Sequence, residues 1–496
     1  MKKTLLSAAA LLMALTACNK EPVGGSAVDN GSVYMQFSVN MLSTRSETDG
    51  PGEGDSNSNA TPDIEVGLDK ENTISTVDIA LVGPSSTVVA ANVTPTAANA
   101  STYVAKFDTK DLVAGTTYKV YIYANCSAPE TFDVNAVSKA SVAEMTADNK
   151  FWMTNAYAAK DVELPGNLAA YTQPNTPFNL GSHTIERSMA RFDYKAKNTG
   201  NVYDMGAGLS LTLTDAALIN QSKAHYVFRR VTTSDTDNTP VVGGIETPNN
   251  WVVDTDWKSK TKAGFDAQLE APANWSWTSL SSLTADDNYN DNYKIWCYAK
   301  ENTVPSIDAQ KHDVSTGVVF KAEITAGENA SAEVKAALAS GKRIYVFNNK
   351  LYGTWADVKT AAVAGTDANL QAAYNQAAAG LEADVEPAAA AAAAAGFTGY
   401  SAVDGKYYTY YYYWNRHNDN RDPYNMGIME FAVVRNNVYK LCVDSISKFG
   451  HPDPTNPTDP DPDPVKPNVP DESVNYYFTV TVKVLPWTVR INNIEF

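Results

Sequence analysis

The most regular hydrophobic pattern of the chain lies at its C-terminal end, where apolar residues occupy every second position. From Phe478 to Val484 the sequence is FTVTVKV, with polar residues between the apolar ones. A two-residue period predicts a β-strand with one buried face. Pro486 interrupts this series and a second one follows. The predicted strand covers 476–496, with its apolar positions at Phe478, Val480, Val482, Val484, Trp487, Val489, Ile491, Ile494 and Phe496.

The segment before this strand, residues 451–475, predicts an extended spacer. Within it proline alternates with aspartate and threonine. Proline fixes φ and lacks an N–H donor, and the acidic residues repel one another, so the segment is semi-rigid. An apolar strand on a stiff arm favours delivery to another molecule by strand addition. The same pattern also fits a linker followed by a strand that folds back into its own domain.

A similar alternation near the N-terminus predicts a second strand. Its apolar positions are Val33, Met35, Phe37, Val39 and Met41. Arg45 and Ser46 follow, and then a glycine-rich polar stretch over 50–61. Because Arg45 is the only basic residue between Lys20 and Lys70, in an exposed acidic stretch, it is a candidate cleavage site for a trypsin-like protease. A solvated surface arginine is the alternative.

Residues 1–18 have the pattern of an export signal. Two lysines precede an apolar stretch over 4–17, which is too short to span a membrane. The stretch ends in Leu-Thr-Ala before Cys18, which resembles a bacterial lipobox with Cys18 lipidated; an ordinary cleaved signal is the alternative. The chain has four cysteines and no C-x-x-C pair, so we expect the other three to be free, buried thiols.

The region between the two predicted strands is typical of a mainly β protein. The 496-residue length of the chain, its 27 tyrosines, and the short strands separated by turns in this region predict two β-sandwich-like domains, 46–184 and 185–450. An alanine-rich stretch at about 355–395 predicts two or three surface helices in the second domain. Residues 429–442 predict a hairpin with its turn at Asn436 and Asn437.

Candidate chemistry is sparse. A net charge of -17 argues against nucleic acid and against an anionic membrane surface as partners. The five histidines have no metal-ligand spacing, and no nucleophile or phosphate-binding motif is present. We therefore predict no catalytic, cofactor-binding or metal site and no enzymatic activity. The tyrosine run 407–414 is either a sugar-stacking platform or core packing, and the second interpretation is the commoner case.

Several of these segments together resemble the Bacteroidales fimbrillins, the type V pilus subunits, and among them the shaft subunits of the short (minor) fimbria of Porphyromonas. The resemblance is carried by six segments: LTAC at 15–18, STRSE at 43–47, IERSMARFD at 185–193, MEFAVVRNNVYKLCVDSISKFG at 429–450, the Asp-Pro linker, and VTVKVLPWTVRINNIEF at 480–496. Residues 200–400 match only loosely, and the alanine-rich insertion has no place in the resemblance.

The resemblance implies transthyretin-like Greek-key domains and a specific assembly pathway. The precursor would be an outer-membrane lipoprotein, in contact with the membrane only through the lipid on Cys18. An arginine-specific protease would cut between Arg45 and Ser46 and remove the propeptide 19–45 with its strand. The C-terminal strand of another copy would then fill the vacated groove, giving a head-to-tail homopolymer. Accessory tip and anchor pilins are implied as further partners of this surface fimbria.

Two alternatives remain open at this stage. A surface glycan-binding lipoprotein would use Tyr407–Trp414 and remain uncut. A tip or accessory pilin of the same fimbria is a nearer alternative, but such subunits generally lack a donor strand, and this chain has a complete one. The host or bacterial surface that the filament adheres to cannot be inferred from the sequence.

Overall fold

The computed structural model describes residues 31–42, 65–97, 101–233, 240–243, 251–265, 268, 271–283, 292–304, 306, 310, 313–382, 385–417, 426–454 and 478–488, with 65, 66 and 478–488 as backbone only. No helix within these ranges is long and apolar enough to cross a membrane. The predicted positions that lie outside the described residues are Cys18, Arg45, Ser46, Val489, Ile491, Ile494 and Phe496.

The N-terminal half is built on one eight-stranded sheet. Its strands are β1 (Ser32–Met41), β3 (Val77–Val82), β4 (Thr87–Val93), β5 (Thr102–Asp108), β6 (Thr117–Ala124), β8 (Met153–Asn155), β9 (Lys160–Glu163) and β10 (Phe178–Arg187). The strand order is β4-β3-β6-β8-β10-β1-β5, with β9 paired to β6. Alternate residues of these strands point into one hydrophobic core, as a half-buried sheet requires.

The C-terminal half is a sandwich of two five-stranded sheets. One sheet has the strand order β19-β11-β25-β26-β2. Its strands are β2 (Glu65–Val66), β11 (Ala190–Ala196), β19 (Lys294–Ala299), β25 (Asn437–Ile446) and β26 (Phe478–Thr488). The other contains β12 (Val202–Gly206), β13 (Leu209–Ile219), β18 (Thr278–Ser279), β20 (Gly317–Ala326) and β24 (Tyr407–Trp414). Phe192 and Tyr439 from the first sheet and Phe320 and Tyr411 from the second share one core.

Three small sheets complete the β-structure of the described residues. They are formed by β7 (Val137–Ser138) with β14 (His225–Tyr226), by β15 (Arg230–Thr232) with β16 (Val241–Val242) and β17 (Trp251–Val253), and by β21 (Ile344–Phe347) with β22 (Lys350–Tyr352) and β23 (Thr398–Tyr400). The prediction of a mainly β fold with a helical insertion is confirmed.

The α-helices of the described residues are short. They are α1 (Asp69–Asn72), α2 (Val142–Met145), α3 (Ala332–Ala339), α4 (Trp355–Val363), α5 (Ala368–Ala377) and α6 (Ala389–Ala394). The last three form the predicted alanine-rich insertion. Side chains of Thr354 and Asp367 cap α4 and α5, and Trp355 packs with Leu370 and Phe397 in a separate small core against β21–β23.

The hairpin predicted over 429–442 is wrong. Strand β25 begins at Asn437, but its neighbours are β11, in parallel, and β26, antiparallel. Residues 429–431 form turns, and Val433 makes an isolated bridge to Asn302 instead. Asn436 does adopt the left-handed conformation of a turn residue, with φ of 58°. The turn at Asn436 was therefore predicted correctly, but β25 pairs with strands that are distant in the sequence and not with residues 429–435.

The chain passes from the eight-stranded sheet to the sheet that contains β11 and β25, called the second sheet below. It does so through two buried residues, Ser188 and Met189, between β10 and β11. A buried network of charges surrounds this crossing. The Arg191 guanidinium lies 2.8 Å from Glu71 Oε2 and 3.0 Å from Asp193 Oδ1, and all three side chains are at most 1% exposed. The Tyr298 hydroxyl donates to Glu71 Oε1 at 2.6 Å. Glu71 therefore ties helix α1 to the second sheet.

A second set of buried charges lies beside the first. Glu186 pairs with Arg229, and Arg435 donates to Glu301 Oε2 at 2.6 Å and to the Tyr226 carbonyl at 2.7 Å. Desolvation raises the pKa of Glu186 to about 7, against the opposing effect of Arg229. Buried charges are tolerated only when paired and hydrogen-bonded, so these contacts fix how the two halves meet.

We expect Arg191→Ala to destabilise the protein strongly, because it removes the buried guanidinium that pairs with both Glu71 and Asp193. Breaking a buried pair costs about 3–5 kcal/mol of unfolding free energy. Lys119→Ala is the matched control, since its 3.0 Å pair with Asp161 is exposed and costs less than about 1 kcal/mol to remove. Urea denaturation followed by tryptophan fluorescence measures both. Equal midpoint shifts for the two variants would contradict the role given to the network.

Candidate assembly site: the first and last strands

Strand β1 lies inside the N-terminal sheet and has a partner on each side. It runs parallel to β10, from Met35 opposite Phe178 to Met41 opposite Ile185. It runs antiparallel to β5, from Ser32 opposite Asp108 to Ser38 opposite Thr102. The segment that would be lost with the predicted propeptide is thus an interior strand, and its removal would separate β10 from β5.

The apolar face of β1 is buried as its alternation predicts. Val33, Met35 and Phe37 are completely buried and Val39 is 3% exposed, while Met41 is only partly buried. The rings of Phe37 and Tyr103 stack with their centroids 5.4 Å apart. We define the groove as the space that these side chains occupy between β10 and β5.

Leu42 extends the buried segment by one residue beyond the predicted strand. It is 4% exposed, and its N–H donates to the Ile185 carbonyl at 2.7 Å. The two-residue period places position 42 on the opposite face to Met41, so alternation alone did not single it out.

His183 is a buried residue of the groove wall that the sequence did not identify. It lies opposite Val39 in the β1–β10 register and is 1% exposed. Burial, helped by the nearby Lys160 ammonium, lowers the pKa of His183 to about 4. The imidazole is therefore neutral while β1 covers it.

The predicted donor strand is present as β26 and lies in the C-terminal half of its own chain. It pairs antiparallel with β25, from Asn437 opposite Pro486 to Ile446 opposite Phe478. At its far end Glu65 and Val66 of β2 pair with it in parallel. Five of the nine predicted apolar positions fall within it, at Phe478, Val480, Val482, Val484 and Trp487. The groove of the same chain is meanwhile filled by β1.

The pairing of β26 with β25 has two weak points. Pro486 lies opposite Asn437 and has no N–H to donate to the ladder. Lys440 and Lys483 lie directly opposite each other, and like charges at opposed positions destabilise a strand pair. Lys440 is 3% exposed and its ammonium lies 5.1 Å from the centre of the Tyr293 ring.

The tyrosine run forms β24 and is covered on both faces. Tyr407, Tyr411 and Tyr413 belong to the sandwich core. Tyr410, Tyr412 and Trp414 form a second cluster with Trp275 and Phe431 on the opposite face. Tyr408 alone of this run is partly exposed, so the strand presents no row of rings for a sugar to stack on.

Other candidate chemistry is equally limited within the described ranges. Cys126, Cys297 and Cys442 are free; Cys442 is buried as expected, whereas the other two are only half-buried. Burial raises the pKa of Cys126 to about 12, so this thiol is unreactive at neutral pH. Three or more side chains suited to holding a metal ion do not come together anywhere in the part of the chain that the structure describes.

The described residues form a mainly β protein whose first strand lies inside one sheet and whose last strand pairs with β25 in another. Residues 406–493 match the family described as "Major fimbrial subunit protein type IV, Fimbrillin, C-terminal". That range covers β24, β25 and β26. The predicted resemblance to the fimbrillins is thereby confirmed for this part of the chain, and it supports a role as a pilus subunit.

Solved structures similar to this chain include adhesion and fimbrial proteins. A putative cell adhesion protein from Parabacteroides distasonis is 10% identical with a TM-score of 0.43, over 93% of this chain and 99% of that one. A fimbrilin from Porphyromonas gingivalis is 13% identical with a TM-score of 0.42, over 92% and 98%. The tip fimbrial protein Mfa3 of P. gingivalis, with a C-terminal truncation, is 9% identical with a TM-score of 0.38, over 92% and 100%. At these scores they carry no argument about function. No curated protein matches the chain.

The buried His183 predicts an acid-sensitive groove. Its pKa is lowered from an ordinary 6.5 to about 4, so between these values the unfolded chain binds a proton that the folded chain does not. The unfolding free energy therefore falls as pH drops through that window, by on the order of 3 kcal/mol from this residue. In His183→Gln we expect a shallower fall between pH 7 and pH 4, measured by thermal melting. An unchanged pH slope would show that the imidazole does not titrate with unfolding.

Proposed function

We propose that the chain is a structural shaft subunit of a surface fimbria that supports adhesion and biofilm formation. It is exported as a lipoprotein whose lipid is attached to Cys18, and it is then cut between Arg45 and Ser46. It polymerises when its C-terminal strand enters the groove of another copy. The observation that carries the proposal is that β1, immediately before the candidate cleavage site, is an interior strand with a fully apolar buried face.

The energetics of the groove support replacement of β1 rather than its simple loss. Burial of Val33, Met35, Phe37 and Val39 contributes about 6–12 kcal/mol at roughly 1.5–3 kcal/mol per side chain. That is comparable to the whole stability of an ordinary domain. A cut subunit that lost β1 would also expose unpaired edges on β10 and β5. Another apolar strand is needed to fill the groove.

The C-terminal strand is the segment of the chain best suited to this task. Its apolar residues recur at the same two-residue period as those of β1. To reach a second copy, β26 has to leave β25, and the opposed lysines and Pro486 weaken that contact. In the groove it would lie between β10 and β5, as β1 does now. Because the contact joins two different surfaces head to tail, it repeats into an open filament.

The other proposed partners follow from the same pathway. An arginine-specific protease makes the cut, tip and anchor pilins end the filament, and the membrane is contacted only through the lipid before processing. Delivery to the cell surface as an extracellular fimbrium is part of this proposal. A glycan-binding function of Tyr407–Trp414 has no support from the geometry, because both faces of β24 are covered.

Replacing Arg45 tests the processing step. We expect Arg45→Ala and Arg45→Lys each to keep the propeptide and stay monomeric, because an arginine-specific protease accepts neither residue. N-terminal sequencing of the surface protein should give Ser46 in the wild type, and non-reducing gels of unheated samples should show a ladder of multimers only there. Cleavage of Arg45→Lys alone would indicate a protease of broader specificity, and normal filaments from Arg45→Ala would refute the processing step.

Substitutions within β26 test strand donation. Val482→Asp places a charge at a predicted buried position, whereas Thr481→Asp places the same charge at the adjacent polar position. We expect the first to abolish the ladder and the second to retain most of it, since a buried unpaired charge costs several kcal/mol. Deletion of 476–496 should leave monomers. A ladder that survives this deletion would mean that the subunits join by another contact.

A further inference from the structure

A lysine and two aspartates form a largely buried cluster directly after β17. The Lys260 Nζ lies 2.5 Å from Asp254 Oδ2 and 2.6 Å from Asp256 Oδ1. The side chains of Lys260 and Asp254 are 2% and 0% exposed, while that of Asp256 is 41% exposed. The function proposed above makes no use of this cluster.

We propose that Lys260 and Asp254 become joined by an intramolecular isopeptide bond, with Asp256 as the proton acceptor. A separation of 2.5 Å from Oδ2 puts the nitrogen at about 3–3.5 Å from the carboxyl carbon, the range from which intramolecular attack proceeds. No other reactant is needed, because the amine, the acyl carbon and the base are all supplied by one short loop.

The backbone around Asp254 suits a developing oxyanion. The Thr303 N–H donates to Asp254 Oδ2 at 2.8 Å, and the Asp256 N–H donates to Oδ1 at 3.3 Å. The Asp254 N–H is itself fixed by a 2.9 Å bond to the Thr303 hydroxyl. Donors held in place around a carboxyl carbon stabilise the tetrahedral intermediate of acyl transfer. After condensation, the remaining Asp254 oxygen still accepts one of these two N–H groups.

The two carboxyl groups are differentiated as the reaction requires. Burial raises the pKa of Asp254 to about 7, which makes its protonated form accessible. Burial alone would raise the pKa of Asp256, but the Lys260 ammonium and its hydrogen bond outweigh burial, so the pKa of Asp256 is lowered. Two carboxyl groups held in different protonation states can serve as acid and base in one reaction.

The bond changes balance without any oxidant or reductant. Asp256 takes one proton from the Lys260 ammonium, and the neutral amine attacks the carboxyl carbon of protonated Asp254. The new Nζ–Cγ bond forms, the Cγ–OH bond breaks, and a second proton from Nζ leaves with the hydroxyl as water. The proton on Asp256 passes to solvent, which this half-exposed side chain reaches. The reaction removes two buried charges, and such charges are costly to keep in a protein interior.

Peptide mass mapping of the purified full chain tests the bond. Trypsin cuts after unmodified lysine, so we expect no cleavage after Lys260 and a branched peptide that lacks the mass of one water. Lys260→Arg keeps the positive charge but cannot form this amide, and its peptides should have their full mass. Lys258→Arg is the matched control and should retain the cross-link, since the Lys258 ammonium lies over the Trp257 ring, 4.8 Å from its centre.

Two further variants test the identity of the leaving group and the role of Asp256 as the base. Asp254→Asn should form the same bond with loss of ammonia, so its product has the same mass as the wild-type product. Asp256→Asn should slow formation during storage of the folded protein. Unlinked wild-type peptides, in fresh and aged samples alike, would leave an ordinary buried ion pair and overturn the proposal. Loss of water that persists in Lys260→Arg would also overturn it, because aspartate cyclisation at Asp254 would then explain the mass.

Discussion

An interior strand cannot be taken out of a sheet without leaving two unpaired edges and an open core, and the arrangement of this protein depends on that constraint. Strand β1 holds β10 and β5 together in the N-terminal sheet, and its apolar side chains complete the core beneath. Because β1 precedes every other described strand of that sheet along the chain, a single cut after it would break its covalent connection to all of them. Its removal therefore creates a specific need for another strand.

The buried charges between the halves meet a second requirement. Glu71 lies in helix α1, downstream of the candidate cleavage site, and is held by Arg191 and Tyr298. A chain that loses its first strand would keep this anchor, so its new N-terminal arm would remain attached to the second sheet. The paired charges also leave little freedom for the halves to rotate, because a rotation would separate buried ions from their partners.

Strand existence could be predicted from the sequence, whereas strand partners could not. The two-residue hydrophobic periods predicted the positions of β1 and β26, and the high alanine content of 355–395 predicted helices α4 to α6. Alternation says which face of a strand is buried but not which sheet receives it, so the pairing of β26 with β25 was not evident. The hairpin at Asn436 was wrong for the same reason. The network around Arg187 and Arg191 was missed because charged residues in a strand have the pattern of a solvated face, and only the three-dimensional structure shows their counter-ions.

The crossing between β10 and β11 has a mechanical consequence. Strand β10 forms one wall of the groove, and two buried residues later the chain becomes β11, the neighbour of β25. In a filament assembled as proposed, tension on the inserted strand would act along the hydrogen-bonded length of β10 and pass straight into the second sheet. Strands loaded along their length share the force over many bonds at once. Between the groove and the second sheet this load path would contain only the two-residue crossing at Ser188 and Met189.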